Sequence, residues 1–427
     1  MEFTIKQSVL KEELSFVAGI VERKSTIPVL SNILIESIGE GEIRIVGTDL
    51  DVTIRCDAEA NIVRGGSMCI QARRLFDIVR LLEGGEVSLK KEENEWVTLK
   101  AGRSSFRLAG VAREQFPEVP QFKSVPMRLS SEVFNHFIQN TAFAITNEQS
   151  RFTLSGAKFV IDANSAKMVT TDGHRLAYIE KKFASADDTA GTMDALIPKK
   201  ALMELTRIAR EAGGEVSFGE DPNHIYFETD GRLLITRKLS GNFPNYEMVM
   251  PKDNDRVATF DLDEMRAAVR RVSLMADERT RSIRVTIRDG ELEISAQSSE
   301  EGSGNEFVQA DYAGDEVTLG FNAQYLQEFL NVVGSSAEAA ANGAISGASA
   351  GENAVREGQS GGNSTGGGSL SAEGPATETD GDKVRVKESQ TRPRISFEFK
   401  DANAQTQMRI AGDTAYDYKY IVMPLRI

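Results

Sequence analysis

A chain of 427 residues with 40% apolar side chains has material for two to four domains, each with its own core. Its 64 acidic and 50 basic residues leave a net charge of -14, which excludes a protein that coats a polyanion over its whole surface. No run approaches the ~18 apolar residues of a membrane span, and Cys56 and Cys69 form neither a C-x-x-C pair nor a Cys/His cluster. Neither a disulfide framework nor a zinc site is expected.

The opening MEFTIKQSVLKEEL has no cationic stretch leading into an apolar one, so no secretory leader is expected and a cytoplasmic location is. From Ser8, SVLKEELSFVAGIV has the period of an amphipathic helix, and so do SSEVFNHFIQNTAFAI from Ser130 and DLDEMRAAVRRVSLM from Asp261. Each opens on a Ser or Asp suited to capping a helix N-terminus, with an acid within about four residues. A second set of helices begins QARRLFDIVRLL at 71, PKKALMELTRIARE at 198 and NAQYLQEFLNVV at 322, starts that are 127 and 124 residues apart. Between them EIRIVGTDLDVTI, VTTDGHRLAYI, IRVTIRDGELEISA and RISFEFKD alternate as strands do, punctuated by Gly, Asn and Asp.

Other markers keep the same interval. FP recurs at 116 and 243, and VMP at 249 and 422, the longer gap of the second pair matching one repeat plus an insertion. That insertion, at about 334-392, is rich in Gly, Ser and Ala and is read as disordered. Its two G-x-S-x-G matches, around Ser349 and Ser364, lack the strand and helix a nucleophile elbow requires. The expected division is three α+β repeats, 1-126, 127-253 and 254-427, in a curved assembly of paired helices packed on antiparallel sheets. Periods this long exclude a solenoid or propeller.

Charge on the helices is uneven. Arg73, Arg74 and Arg80 lie on the second helix of repeat one, and Lys199, Lys200, Arg207 and Arg210 share a face of its counterpart in repeat two. Arg266, Arg270 and Arg271 lie on the first helix of repeat three. In an acidic protein, a recurring basic stripe suggests helices that face a polyanion through sequence-independent phosphate contact.

The stretch MVTTDGHRLAYIE at 168-180 allows three readings: an acid/base pair at Asp172 and His174, a plain hairpin turn, or a surface to be gripped. Catalysis needs a nucleophile or metal beside the pair, and neither His136 nor His224 stands in a ligand pattern. An Asp in such a turn more commonly bonds the backbone.

TTDGHRLA at 170-177, SRFTLSG at 150-156, GNFPNYEMVMP at 241-251, FNAQYLQEFL from Phe321, RKSTIPVLSNILIE from Arg23 and the terminal YIVMPLRI together resemble the bacterial DNA sliding clamp family, the β subunit of DNA polymerase III. The likeness covers the chain except the tract after Gly334. It implies a non-enzymatic processivity factor without cofactor: a head-to-tail homodimer ring of clamp-type domains, helices lining the hole, sheets outside. The implied partners are duplex DNA, the DNA polymerase III catalytic subunit, the clamp loader, and other polymerases and repair proteins that dock through short extended peptides, with no membrane involved.

Carried over by position, the resemblance implies a peptide pocket of Leu154, Gly156, Thr171, Gly173, His174, Arg175, Leu176, Pro244 and Val249, joined by Asn322, Tyr325, Ile421, Met423, Pro424 and Arg426. His174, Arg175 and Arg426 are expected to offer donors to the peptide. DNA contact is implied for Lys24, Arg73, Gln149, Arg151, Lys199 and Lys200. The dimer interface is implied to set Arg103, Phe106 and Leu108 against Leu274, Met275, Glu300, Glu301 and Glu306. The chain departs from the family pattern at Ser105, where an interface arginine is expected, and at Phe152-Thr153, where adjacent aromatics are.

Overall fold

A computed structural model describes residues 1–21, 26–120, 127–148, 150–183, 191–299, 302–336, 393–413 and 415–426. Two compact units are present: Met1–Arg256 with Phe397–Arg426, and Val257–Ser396. The first holds helices α1 (Gln7–Ile20), α2 (Ala72–Leu81), α3 (Ser131–Thr141) and α4 (Lys199–Ala212). The second holds α5 (Leu262–Val272) and α6 (323–336). Residues 334–336 belong to α6, and the rest of the insertion expected at about 334–392, with Ser349 and Ser364, lies outside the described residues.

Helix starts are fixed in two ways. Ser130 Oγ accepts from Val133 N at 3.2 Å, and Asp261 Oδ1 accepts from Asp263 N and Glu264 N at 2.9 and 3.0 Å, so α3 and α5 carry the expected side-chain caps. The first helix does not. Its N-cap is Lys6 and Ser8 lies within the first turn; the leading Gln7 N–H instead donates to the Gly85 carbonyl at 2.8 Å, so a tertiary contact replaces the cap.

In the first unit the strands form antiparallel sheets. One runs in the order Asn61–Arg64, Glu2–Lys6, Glu86–Lys91, Val97–Ala101, Ser104–Leu108. A nine-stranded sheet joins the first two repeats, because Val52–Glu59 of one pairs with Arg232–Arg237 of the other, with Cys56 opposite Arg232. A third series takes in Met193–Pro198, Gly156–Ile161, Ser165–Thr171, Arg175–Lys182, Asp417–Val422 and Thr406–Ile410. In the second unit Gly302–Asp311, Glu291–Ser298, Ser282–Arg288 and Val317–Asn322 are consecutive neighbours. Under the second repeat, Phe134 sits edge-on to Phe218 and Phe227, with ring centroids 5.2 and 5.8 Å apart, all three rings fully buried.

The junction of the first two repeats is clasped by Arg232. Its Nε donates to Glu13 Oε2 at 2.9 Å and its Nη2 to Glu13 Oε1 and Glu12 Oε1 at 2.7 and 2.6 Å, while the guanidinium lies 4.2 Å from the Phe16 ring centroid. Arg232 and Glu13 are both buried, so removing the arginine leaves the Glu13 carboxylate without this partner in a site shielded from water. Arg232→Met should cost about 3–5 kcal/mol, measured as a fall in the urea midpoint, and adding Glu13→Leu should recover most of it.

Candidate functional site

Two strands, Ser165–Thr171 and Arg175–Lys182, are joined by the turn Asp172-Gly173-His174. Gly173 adopts φ +90°, a conformation that a side chain opposes. Asp172 Oδ1 accepts from His174 N and Arg175 N at 2.9 and 3.1 Å, and its Oδ2 accepts from Arg175 Nε at 3.0 Å. Thr171 Oγ1 donates to the Arg175 carbonyl at 2.6 Å and accepts from Gly173 N at 3.1 Å. The acid therefore serves the turn's own backbone and the neighbouring guanidinium, which speaks against a general base at this position.

Leu176 lies opposite Ile421 across the Arg175–Lys182/Asp417–Val422 ladder, and the two join Val169 and Tyr178 in a buried cluster against which Phe243, Tyr246 and Met250 pack. Above it is a cavity of about 100 Å³ lined by Leu154, Thr171, Gly173, His174, Arg175, Leu176, Pro244, Tyr246, Val249, Ile421 and Met423. The C-terminal segment is fastened to the turn by Met423 N, which donates to the His174 carbonyl at 3.0 Å. The result is a shallow apolar depression whose wall is a hydrogen-bonded hairpin tip.

The structure brings together ten of the residues expected at this pocket and leaves others out. Gly156 is in a strand where an added Cβ would lie 2.2 Å from the Ile197 carbonyl oxygen, so it is a close-approach glycine and not part of the lining. Pro424 and Arg426 are also absent from the lining. Asn322 and Tyr325 belong to the second unit, where Asn322 Oδ1 caps α6 by accepting from Gln324 N at 2.9 Å. Arg175 lines the cavity but is not the free donor expected. It is 8% exposed, its Nη2 donates to the Phe143 carbonyl at 2.8 Å, and its Nη1 reaches Tyr420 Oη at 3.5 Å.

Tyr246 was not anticipated. Asn245 Oδ1 accepts from Glu247 N at 3.2 Å and starts the short helix Tyr246–Met248, which presents the ring; the Pro-Asn-Tyr sequence was the available signal.

The residues expected at DNA are differently disposed. Lys24 and Gln149 lie outside the described residues. Lys199 donates to Asn147 Oδ1 at 3.1 Å, and Arg73 reaches the Val21 carbonyl at 3.4 Å. Arg151 ion-pairs with Glu148 at 3.2 Å and donates through Nη1 to the Asp172 carbonyl at 2.7 Å. The common face expected of Lys199, Lys200, Arg207 and Arg210 is split. Lys200 pairs with Asp49 and reaches the Ile20 carbonyl at 3.3 Å, while Arg207 donates to the carbonyls of Ser15 and Phe16 at 2.7 and 2.6 Å. Both cations bind carbonyls of α1, Lys200 that of its last residue, at the negative end of the dipole, and Arg207 two nearer its middle; Arg210 remains exposed.

Of the interface residues, Phe106 is 38% exposed on the edge strand Ser104–Leu108, beside exposed Arg103 and buried Leu108. In the second unit Leu274 is 72% exposed and Met275 half-buried against Gly304. Glu306 pairs with Arg271 of its own unit, while Glu300 and Glu301 lie outside the described residues. Phe307, 55% exposed and not anticipated, follows Glu306 on Gly302–Asp311.

Repeated helix-and-sheet domains of this kind, with a shallow apolar pocket beside a hairpin tip, are the architecture of a sliding clamp. Models of the DNA polymerase III beta subunit match the chain in three parts: the N-terminal domain over residues 1–120, the central domain over 128–245 and the C-terminal domain over 247–340. The chain is 33% identical over 342 residues to the beta sliding clamp of Pseudomonas aeruginosa, covering 78% of this chain and 91% of that one. It is 33% identical over 347 residues to the beta sliding clamp of Caulobacter vibrioides, covering 79% and 92%. A crystal structure of the P. aeruginosa DNA polymerase III subunit beta matches over the whole of both chains with TM-score 0.81 at 26% identity, and one of the same protein bound to griselimycin with TM-score 0.80 at 27%. This chain belongs to the DNA polymerase III beta subunit family, the beta sliding clamps.

Replacing Arg175 by Met should leave Asp172 Oδ2 and the Phe143 carbonyl without this partner and lower stability by about 1–3 kcal/mol. Amide exchange should quicken at His174 and Leu176 while α5 is unaffected.

Proposed function

We propose that this sliding clamp acts as a non-enzymatic ring around duplex DNA, closed by two copies of the chain, each contributing three domains at 1-126, 127-253 and 254-427. The observation that carries the reading is the pair of open sheet edges. Ser104–Leu108 ends its sheet, with Val97–Ala101 as its single neighbour among the described residues. Among the described residues, Gly302–Asp311 pairs with Glu291–Ser298 along its length but meets Arg256–Asp261 only at Ala310 and Asp311, so its first residues have no strand on the other side. Exposed edges of this kind invite another chain. One copy's Phe106 edge set against the other's Leu274 and Phe307 gives a heterologous contact, which closes into a ring when the rotation permits.

Within the ring, Arg73, Arg151 and Lys199, with Lys24 and Gln149, contact phosphate without reading sequence; Lys200 supports them by holding Asp49. The pocket around Leu176 takes an apolar segment of a short peptide from the DNA polymerase III catalytic subunit, the clamp loader, or other polymerases and repair proteins. Its Leu, Ile, Val and Met lining adapts to several such side chains. No helix among the described residues is long and apolar enough to cross a membrane, and a cytoplasmic site of action fits a replication factor.

Retention on circular DNA tests this. Protein loaded onto a nicked plasmid by the host's clamp loader should co-elute with circles in gel filtration and be lost when each circle is cut once. Persistence on the linear form, or failure to load, would replace the ring with a scaffold that binds partners without encircling DNA.

A further inference from the structure

Arg151 stands between the two functions assigned to this chain. It belongs to the loop implied to touch DNA, and three residues later Leu154 lines the peptide pocket. Its guanidinium donates through Nη1 to the Asp172 carbonyl at 2.7 Å, which is the backbone of the pocket's own turn. The seat is shaped for it: a Cβ on Gly173 would come within 2.9 Å of the same Nη1. Glu148 holds the other side through Nε at 3.2 Å.

We propose that DNA contact and peptide occupancy are thermodynamically linked through Arg151, an inference that rests on the clamp reading above. A phosphate carries a full charge and outcompetes a neutral carbonyl for a guanidinium donor. When a phosphate takes the Nη1 donor, the turn at Asp172-Gly173 loses an outside support. Gly173, with no side chain to restrict it, then keeps the bonds of Asp172 and Thr171 within the hairpin, while the outside bonds that remain, from Met423 N to the His174 carbonyl and from Arg175 to the Phe143 carbonyl, lie on the far side of Gly173 in the chain from the Asp172 carbonyl. The wall carrying His174 and Leu176 becomes less ordered, and a peptide must order it again on binding. The coupling is therefore negative, and it is reciprocal: DNA weakens the peptide by the same factor as the peptide weakens DNA.

The experiment uses the full-length ring at one fixed ionic strength. The probe is a fluorescein-labelled synthetic peptide from the replicative polymerase catalytic subunit of the same organism, chosen because it protects the amides of His174 and Met423 on the free ring. Its Kd is measured with and without a saturating short primed duplex, and the duplex Kd with and without saturating peptide. Both should rise about fivefold, the lower end of ordinary allosteric coupling, and in Arg151→Ala both ratios should fall to one. A peptide that binds with a Kd unmoved by DNA overturns the linkage alone. A ratio that survives in Arg151→Ala also overturns it, by placing the coupling elsewhere. If no peptide protects the pocket amides, the pocket reading fails and the linkage falls with it.

Discussion

The first unit depends on a strand pairing that no local signal announces: Val52–Glu59 of the first repeat against Arg232–Arg237 of the second. Antiparallel ladders satisfy backbone donors and acceptors in both partners, so this pairing closes two edges at once and makes one nine-stranded sheet from two repeats. Ser104–Leu108 belongs to a separate sheet of the first unit and, among the described residues, has a strand on one side only. The side chains agree with the backbone: Lys200, Arg207 and Arg232 of the second repeat all reach α1 or its neighbourhood in the first, two of them binding carbonyls of α1 itself. Cations that look like a polyanion-facing stripe in sequence thus act partly as a clasp inside the protein.

The pocket follows from the same economy of bonding. Asp172 and Thr171 close the hairpin on its own backbone, and Arg175 ties it to Phe143, so the tip is stiff before any ligand arrives. Little polar surface remains inside, which suits a site that takes apolar side chains from several partners and gains by not having to order its own wall. The floor residue Leu176 sits opposite Ile421, which stands 245 positions later in the chain, so the site exists only because the C-terminal segment returns to the central repeat.

Much of this was legible in the sequence because it repeats. Helix starts near 71, 198 and 322 and the recurring FP and VMP markers follow from the periodicity of apolar residues, which propensity and burial both reinforce. The turn chemistry of TTDGHRLA is local and was equally readable. What was not readable was which partner each polar side chain finds across the fold. Arg175 and His174 are adjacent and look equivalent, yet Arg175 is buried by contacts with Phe143 and Tyr420. Gly156 reads as a pocket glycine until the Ile197 carbonyl is placed beside it. Ser8 resembles a cap until Gly85 supplies the acceptor. Tyr246 and Phe307 carried too weak a pattern to stand out before their elements were in place.

The central claim is that two copies join edge to edge, head to tail, and sedimentation of single and mixed variants tests it most directly. The unmodified chain should sediment at twice 46.8 kDa. Phe106→Asp and Leu274→Asp, both at exposed positions, should each give a monomer, because each spoils both contacts of the ring. Mixing the two variants should restore a dimer, since one contact then joins an intact Phe106 edge to an intact Leu274. Variants that stay dimeric alone, or a mixture that stays monomeric, would contradict a head-to-tail ring.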